Sequence, residues 1–319
     1  MSQFKGKLLL LCGGVGGAKL ALGFSRVLPP EQLLVAVNTA DDFEHYGLSI
    51  SPDLDTVMYT LAGLNDSERG WGMAGESWHC MESLARLGGE TWFRLGDRDL
   101  ATHLERTRRL RRGETLTQVT RSLCSHFGVR TPLLPMSDDP VATMLRTSQG
   151  ELAFQDYFVR EQCVPAISGY FFCGAESARP QPEMMRLLSE GGISAVVICP
   201  SNPFVSIEPI LALPGVRDAL RDSGAPVVAV SPIIAGRAVK GPSAKMMAEL
   251  GYEVTPAAVA GLYRDLLDGF VIDKSDRAQV GSIEALGVAT ACERTLMRSL
   301  DDRMDLACRV MQFARSLID

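Results

Sequence analysis

The sequence has little of several features that mark other classes of protein. No apolar run approaches the ~20 residues that cross a bilayer, so the sequence predicts no transmembrane helix. Eight cysteines and four histidines are present, but there is no C-x-x-C pair and no zinc-ligand spacing between the two residue types. We therefore expect reduced, mostly buried thiols. Positive charge is also scarce: 32 Lys and Arg against 38 Asp and Glu give a net charge of −6, which disfavours a nucleic-acid-binding protein.

The amino terminus lacks the apolar run of a secretory signal peptide. Two lysines precede Leu8–Cys12, but this run is shorter than the ~7–15 residues that a signal peptide uses, and no A-x-A site follows. The 319 residues are 46% hydrophobic and 22% charged, which is the composition of a globular protein. We expect a cytoplasmic protein that begins with a buried strand and does not bind membranes.

Short apolar runs that end in loop residues are the main structural signal. Such runs suit strands that are buried on both faces of a parallel sheet, and they are Lys7–Cys12, Leu33–Val37, Ala195–Cys199, Val227–Val230 and Phe270–Ile272. Helix-like stretches lie between them, at Ala18–Leu28, Thr56–Leu64, Pro214–Ser223, Ser243–Leu250 and Ala257–Leu267. This alternation predicts βαβ units and a doubly wound, mainly parallel α/β fold.

The middle of the chain has a different pattern. It turns helical and basic, then loop-rich, with a small antiparallel segment around Leu152–Val159. We interpret residues 94–180 as a mostly helical insertion in a single α/β domain of residues 1–319, whose core is formed by residues 1–93 and 181–319. The segment Cys292–Leu317 predicts one or two closing helices.

A glycine-rich loop follows the first predicted strand. Gly13, Gly14, Gly16 and Gly17 would let backbone N–H groups approach a phosphate at a helix amino terminus. The loop fails the dinucleotide-binding pattern, because Lys19 stands in place of the third glycine, and it also fails the Walker A pattern. We predict anion binding by this loop; a tight turn without a ligand is the alternative.

Acidic residues follow the second predicted strand. Asp41 and Asp42 lie in NTADD, and Asp53 and Asp55 lie in SPDLDT, so four carboxylates fall within fifteen residues. Oxygen ligands of this kind suit Mg²⁺, which commonly uses one or two carboxylates together with phosphate oxygens and water. The alternative is that Asp53 or Asp55 caps the helix that begins near Thr56.

Further polar loops complete the candidate site. Arg94–His103 carries Arg, Asp, Thr and His. The basic stretch Arg106–Arg112 after it is a solvated helix face, a contact to an anionic substrate, or a contact to nucleic acid or a second subunit. Ser201 and Asn202 offer a hydroxyl and an amide for a phosphate or a guanine edge, with a plain turn as the alternative. The segment SPIIAG and the later KGP could close the same site. No G-x-S-x-G motif occurs, so a covalent nucleophile is not indicated.

The order of these motifs resembles a known family. In chain order they are the glycine loop, NTADD, SPDLDT, LGDRDLATH, LPMSDDPV, FQD, SNPFVSI, SPII and GP, from Leu8 to Asp276. This series resembles the 2-phospho-L-lactate transferase family of deazaflavin biosynthesis. The resemblance implies a three-layer α/β core, commonly a homodimer, and Mg²⁺. It implies that the ribityl hydroxyl of Fo (7,8-didemethyl-8-hydroxy-5-deazariboflavin) attacks a guanosine diphosphate ester of a three-carbon acid and releases GMP, in coenzyme F420 biosynthesis.

The resemblance also implies residue roles. Asp55 and Arg94 match positions associated with Fo binding, and Asp41, Asp42 and Asp53 become the metal candidates. Asp55 and Asp42 are the catalytic candidates, since an aspartate near the metal could orient the attacking hydroxyl. The glycine residues of the first loop, with Ser201 and Asn202, would hold the diphosphate and guanosine. The first loop departs from the family by reading CGGVGG, without the Ser and Thr that relatives often have there.

Two other functions compete with this interpretation. A non-catalytic, nucleotide-sugar-binding regulator of the gluconeogenesis-factor type shares a glycine loop and an acidic second loop, but lacks the combined PDLDT and GDRDxATH signature. An NAD-dependent oxidoreductase is weakened by the failed dinucleotide pattern. The donor stays open, because phospholactyl, phosphoenolpyruvyl and phosphoglyceryl esters differ only by a double bond or a hydroxyl.

Overall fold

The computed structural model describes residues 5–318. In this part of the chain the strands are β1 Lys7–Cys12, β2 Leu33–Val37, β3 Phe43–His45, β4 Leu48–Ile50, β5 Leu133–Pro135, β6 Ala142–Thr147, β7 Gly150–Ala153, β8 Ile167–Cys173, β9 Ile193–Ile198, β10 Val227–Val230, β11 Ile233–Ile234, β12 Arg237–Ala238, β13 Gly269–Asp273 and β14 Ala289–Glu293. The α-helices are α1 Gly14–Val27, α2 Pro52–Ala62, α3 His79–Arg86, α4 Asp97–Leu110, α5 Leu116–His126, α6 Pro182–Ser189, α7 Glu208–Leu211, α8 Val216–Asp222, α9 Ser243–Glu249, α10 Pro256–Leu262, α11 Val280–Glu284 and α12 Leu300–Ser316.

A seven-stranded sheet forms the centre of the molecule. Its order is β14-β13-β10-β9-β1-β2-β5, and every neighbouring pair is parallel. Each apolar run predicted from the sequence forms a strand of this sheet, and β1, β2 and β10 are almost completely buried along their length. The predicted doubly wound, mainly parallel α/β fold is therefore confirmed.

Helices cover both faces of the sheet. Alternate residues of β1 point to opposite sides: Leu8 and Leu10 pack with α1, α2 and α12, whereas Leu9 and Leu11 pack in the larger core beneath α6, α8, α9 and α10. Apolar side chains on both faces of one strand explain why these strands read as continuous hydrophobic runs. The result is the three-layer arrangement that the family resemblance implied.

The region 94–180 differs from the predicted insertion. It begins with α4 and α5, as expected, but Leu133–Pro135 then forms β5, which pairs with β2 at the edge of the central sheet. Treating the whole of 94–180 as separate from the core was therefore wrong. The remaining strands, β6, β7 and β8, form a three-stranded antiparallel sheet. The predicted closing segment is also mixed, because Cys292 lies in strand β14 and α12 is the single helix that follows.

The order of strands determines where loops converge. The chain proceeds from β1 to β2 on one side and later returns to β9 on the other, so the connections at the carboxyl ends of β1 and β9 diverge and leave a crevice. None of the helices within residues 5–318 combines the length and apolar character required to cross a lipid bilayer.

Candidate active site

A cavity of about 630 Å³ opens at the carboxyl ends of the central strands. Its wall includes the glycine loop (Gly13–Gly17) after β1, Asp41 after β2, the first turns of α2, and the loops after β9 and β10. Most predicted site residues lie in this wall; Gly17 and Asp42 do not line it. Distant loops therefore meet at one site because parallel strands bring their carboxyl ends to the same edge.

The glycine loop is packed directly against the loop after β9. A side chain at Gly16 would overlap the carbonyl oxygen of Pro200, and a Cβ at Gly17 would lie 2.6 Å from Ser201 Oγ. Ser201 Oγ donates to the Gly13 carbonyl at 2.7 Å and accepts from the Gly13 N–H at 3.1 Å. Ser201 therefore braces the loop, and its hydroxyl is already engaged in a role that sequence reasoning missed.

Asp53 joins the glycine loop to the acidic loop after β2. Its Oδ2 accepts from Asn38 Nδ2 at 3.0 Å and Ser206 Oγ at 3.3 Å, and its carboxylate also accepts from the N–H of Gly14. Helix α2 begins at Pro52, and its N-cap residue Ser51 makes no side-chain capping bond. The carboxylate of Asp53 thus accepts a hydrogen bond from the start of α1 and faces the cavity, and none of these hydrogen bonds caps α2.

Three buried carboxylates, those of Asp41, Asp53 and Asp55, line the cavity and are called the acidic cluster below. Asn38 bridges two of them, since its Nδ2 also donates to Asp41 Oδ1 at 3.2 Å. Burial raises the pKa of Asp53 to about 6, and burial together with the charge of Asp53 raises the pKa of Asp41 well above its usual range. A divalent cation would relieve this concentration of negative charge, so the oxygen donors fit Mg²⁺.

Asp42 lies behind the acidic cluster. Its Oδ2 accepts from Ser51 Oγ at 2.7 Å, while its Oδ1 is buried without a hydrogen-bond partner in the described part of the chain. Burial raises the pKa of this carboxyl well above its usual range. Burial therefore favours the neutral form of Asp42, which lies near the cavity without lining it.

Asp55 is held by residues of α4 that belong to the stretches Arg94–His103 and Arg106–Arg112, which the sequence analysis did not connect to Asp55. The buried guanidinium of Arg106 donates to both carboxylate oxygens, at 3.0 Å to Oδ2, and also contacts His103 Nδ1 at 3.1 Å. Asp99 accepts from Tyr59 Oη at 2.7 Å and lies 3.3 Å from His103 Nε2. Ligand atoms of Asp55, Asp99 and His103 lie within 4.8 Å of one another, which makes them a second possible metal-binding group.

The basic stretch of α4 has two environments. Arg106 is among the largest fully buried side chains, whereas Arg108 and Arg109 pair near the surface with Glu105 and Glu114. The interpretation of the stretch as a solvated face is correct for the latter pairs and wrong for Arg106. The sequence did contain a signal that Arg106 shares a helix face with Asp99 and His103, because residues 99, 103 and 106 follow the i, i+4, i+7 spacing.

Aromatic side chains also line the cavity. We call Trp71, Trp92, Phe93, Phe154 and Phe158 the aromatic wall. The rings of Phe154 and Phe158 are stacked with centroids 5.4 Å apart. The guanidinium of Arg94, which also lines the cavity, lies 4.3 Å from the ring centroid of Trp78.

Asn202 is engaged within its own loop. Its Oδ1 accepts from the N–H groups of Phe204 and Val205, which start the π-helix Pro203–Ile207, and its Nδ2 contacts Met246 Sδ at 3.5 Å. The residue lines the cavity, but most of its hydrogen-bonding capacity is used to shape this loop.

Together these features define a Rossmann-like α/β protein whose cavity combines a helix amino terminus with buried carboxylates. Residues 8–296 match the family model described as 2-phospho-L-lactate transferase CofD, and the chain belongs to this enzyme family. The family identification made from the motifs is therefore confirmed.

Relatives with two different names are similarly close to this chain. A phosphoenolpyruvate transferase of Kitasatospora aureofaciens is 41% identical over 318 residues, covering 98% of each chain. A 2-phospho-L-lactate transferase of Methanosarcina mazei is 41% identical over 305 residues, covering 96% of this chain and 99% of its own. A crystal structure of a UPF0052 family protein from Bacillus halodurans has a TM-score of 0.66 at 15% identity, covering 97% of this chain and 100% of its own, which shows a shared fold.

Proposed function

We propose that this enzyme transfers a phospho-three-carbon-acid group from its guanosine diphosphate ester to the ribityl hydroxyl of Fo, with release of GMP. The observation that carries the proposal is the composition of the 630 Å³ cavity, whose lining combines the glycine loop, the acidic cluster and the aromatic wall. A diphosphate and a flat deazaflavin ring require these two different environments. Family membership and the names of the relatives support the same reaction.

The donor side of the proposal rests on α1 and the acidic cluster. Backbone N–H groups at the start of α1, together with the helix dipole, favour the diphosphate there. Asp41 and Asp53 would hold Mg²⁺, because their buried oxygens share Asn38 and face the cavity. When bound, such a cation neutralises charge that develops on the leaving phosphate.

The acceptor side rests on Asp55 and the aromatic wall. The deazaflavin ring would stack on the aromatic wall, with Arg94 at its edge, and its ribityl chain would extend toward the acidic cluster. Because Arg106 fixes both oxygens of Asp55, this carboxylate can orient the attacking hydroxyl through its remaining lone pairs. Asp42 does not line the cavity, so we assign it no contact with either substrate. Positioning and charge neutralisation are the main requirements of phosphoryl transfer, so no covalent nucleophile is needed.

The test is a competition among donors. The purified protein is incubated with Mg²⁺, Fo and equal amounts of the phospholactyl, phosphoenolpyruvyl and phosphoglyceryl esters of GDP, and mass spectrometry follows GMP and each product. We expect GMP in equal amount to one Fo phosphodiester, whose mass names the donor. Nucleotide binding without any product would refute the transfer reaction and favour a regulatory role.

The metal assignment has its own test. Asp41→Asn and Asp53→Asn should each reduce the gain in GDP affinity that Mg²⁺ gives over EDTA, as measured by calorimetry. Asp222→Asn, on the surface of α8, is the matched control and should behave as the unchanged protein. If both cluster variants keep the full Mg²⁺ effect, the cation is bound elsewhere, and the Asp55, Asp99 and His103 group becomes the site to test.

A further inference from the structure

Two lysines line the cavity without an acidic partner. Lys19 lies on α1, just beyond the glycine loop, and Lys240 lies in the loop after β12. Among residues 5–318 their hydrogen bonds go to carbonyl oxygens: Lys19 Nζ to Met297 at 3.3 Å and Lys240 Nζ to Arg69 at 3.4 Å. Neither forms an ion pair in this part of the chain. We call Lys19 and Lys240 the lysine pair.

The charges around the lysine pair are unbalanced. Burial lowers the pKa of Lys19, and the positive charges of Arg303 and Lys240 lower it further. Lys19 is half-buried and Lys240 is exposed, so an anion that reaches both would offset their mutual repulsion. The lysine pair therefore favours a ligand that carries a negatively charged group.

Lys240 lies where its own loop meets the loop that contains Gly70, at the wall of the cavity. A side chain at Gly70 would overlap Lys240 Nζ and would lie 3.6 Å from Val15 of the glycine loop. The ammonium group of Lys240 therefore lies next to the Gly70 backbone, close to the start of α1. The two arginines that line the cavity are otherwise engaged, because Arg69 pairs with Asp66 at 2.9 Å and Arg94 stacks on Trp78.

The donor of the proposed reaction carries an anion that still needs a partner. Its diphosphate is assigned to the start of α1 and to the cation of the acidic cluster, but the three-carbon acid also has a carboxylate. The acidic cluster would repel this carboxylate. The guanidinium groups beside the aromatic wall are already stacked, with Arg69 over Trp71 and Arg160 over Trp92. We propose that the lysine pair binds the carboxylate of the three-carbon acid, and so selects acid esters of GDP over neutral ones. This inference rests on the proposed function.

The experiment removes the carboxylate charge from the ligand and, separately, one lysine charge from the protein, and compares the effects on affinity. Affinities of GDP-lactate and of its neutral isostere GDP-lactamide are measured by calorimetry for the unchanged protein and for Lys19→Met, Lys240→Met and Lys240→Arg. Lys274→Met, outside the cavity, is the control. Urea unfolding verifies that each variant is folded.

We expect Lys240→Met and Lys19→Met to weaken GDP-lactate about tenfold or more and to leave GDP-lactamide within twofold. Lys240→Arg should retain most of the preference for the acid ester. Equal weakening of both ligands would overturn the assignment, because the lysines would then serve the diphosphate, and so would the absence of any weakening. If neither ester binds the unchanged protein, the proposed function itself fails and takes the assignment with it.

Discussion

The packing of the glycine loop predicts opposite effects for the same substitution at two helical glycines. Gly16 lies in the first turn of α1 and Gly261 near the end of α10, so alanine should be favoured at both by up to ~1 kcal/mol of helix propensity. A Cβ at Gly261 meets nothing within 4 Å, whereas one at Gly16 overlaps the carbonyl oxygen of Pro200. Backbone, unlike a flexible side-chain tip, cannot move away without shifting the loop.

We therefore expect Gly261→Ala to raise the free energy of unfolding by roughly 0.4–1 kcal/mol. Gly16→Ala should lower it by roughly 1–3 kcal/mol, because overpacking outweighs the gain in propensity. Urea unfolding with a shared m-value measures both effects. Gly16→Ala should also weaken GDP binding, whereas Gly261→Ala should not. If Gly16→Ala is as stable as Gly261→Ala and binds GDP normally, the loop is not fixed by this contact and the reasoning is refuted.

Three further predictions concern residues away from the glycine loop. Arg106→Met should cost about 3–5 kcal/mol in urea unfolding, because it leaves the buried Asp55 without its cation, and adding Asp55→Leu should recover part of that loss. Thr115→Ala should cost about 1 kcal/mol by removing the capping box of α5. The ion pair with Arg179 lowers the pKa of Asp139 to about 2. The pair therefore stabilises the fold at pH values above the ordinary carboxyl pKa, and this stabilisation is lost as the pH falls toward 2. In the variant Arg179→Gln, NMR titration should find the pKa of Asp139 closer to its ordinary value, and an unchanged pKa would contradict the assignment.

The central strands could be predicted because they are buried on both faces. Leu33–Val37 has no residue that needs water, so its composition alone indicates an interior parallel strand. Strand β5 was missed because three residues are too few to show a periodicity. The strands that follow it in the chain, β6 to β8, form a separate antiparallel sheet. Its membership of the central sheet depends on pairing with β2, which a local pattern does not encode.

The candidate site was predictable as a set of loops but not as a set of contacts. The sequence placed Asp53 and Asp55 in one site with the glycine loop, and all of them line the cavity, with Asp53 next to Gly13 and Gly14. That Ser201 braces Gly13 depends on the packing of β1 beside β9, across 188 positions of sequence. Likewise, helix spacing puts Arg106 on one face with Asp99 and His103, but its pairing with Asp55, 51 positions away in the chain, depends on the tertiary fold.

The acidic cluster lowers the stability of the fold near neutral pH and at the same time provides a ligand site. A carboxyl whose pKa is raised on folding stabilises the fold only while protonated, so the contribution of Asp53 is present below its ordinary pKa of 3.8 and is lost as the pH rises through about 6. The difference amounts to ~3 kcal/mol near neutral pH, a large fraction of the stability of an ordinary domain. A group that binds the folded chain at this cluster returns stability in proportion to its affinity. The cluster therefore couples folding to ligand binding, which explains why such poorly compensated charges can persist inside an otherwise apolar sheet protein.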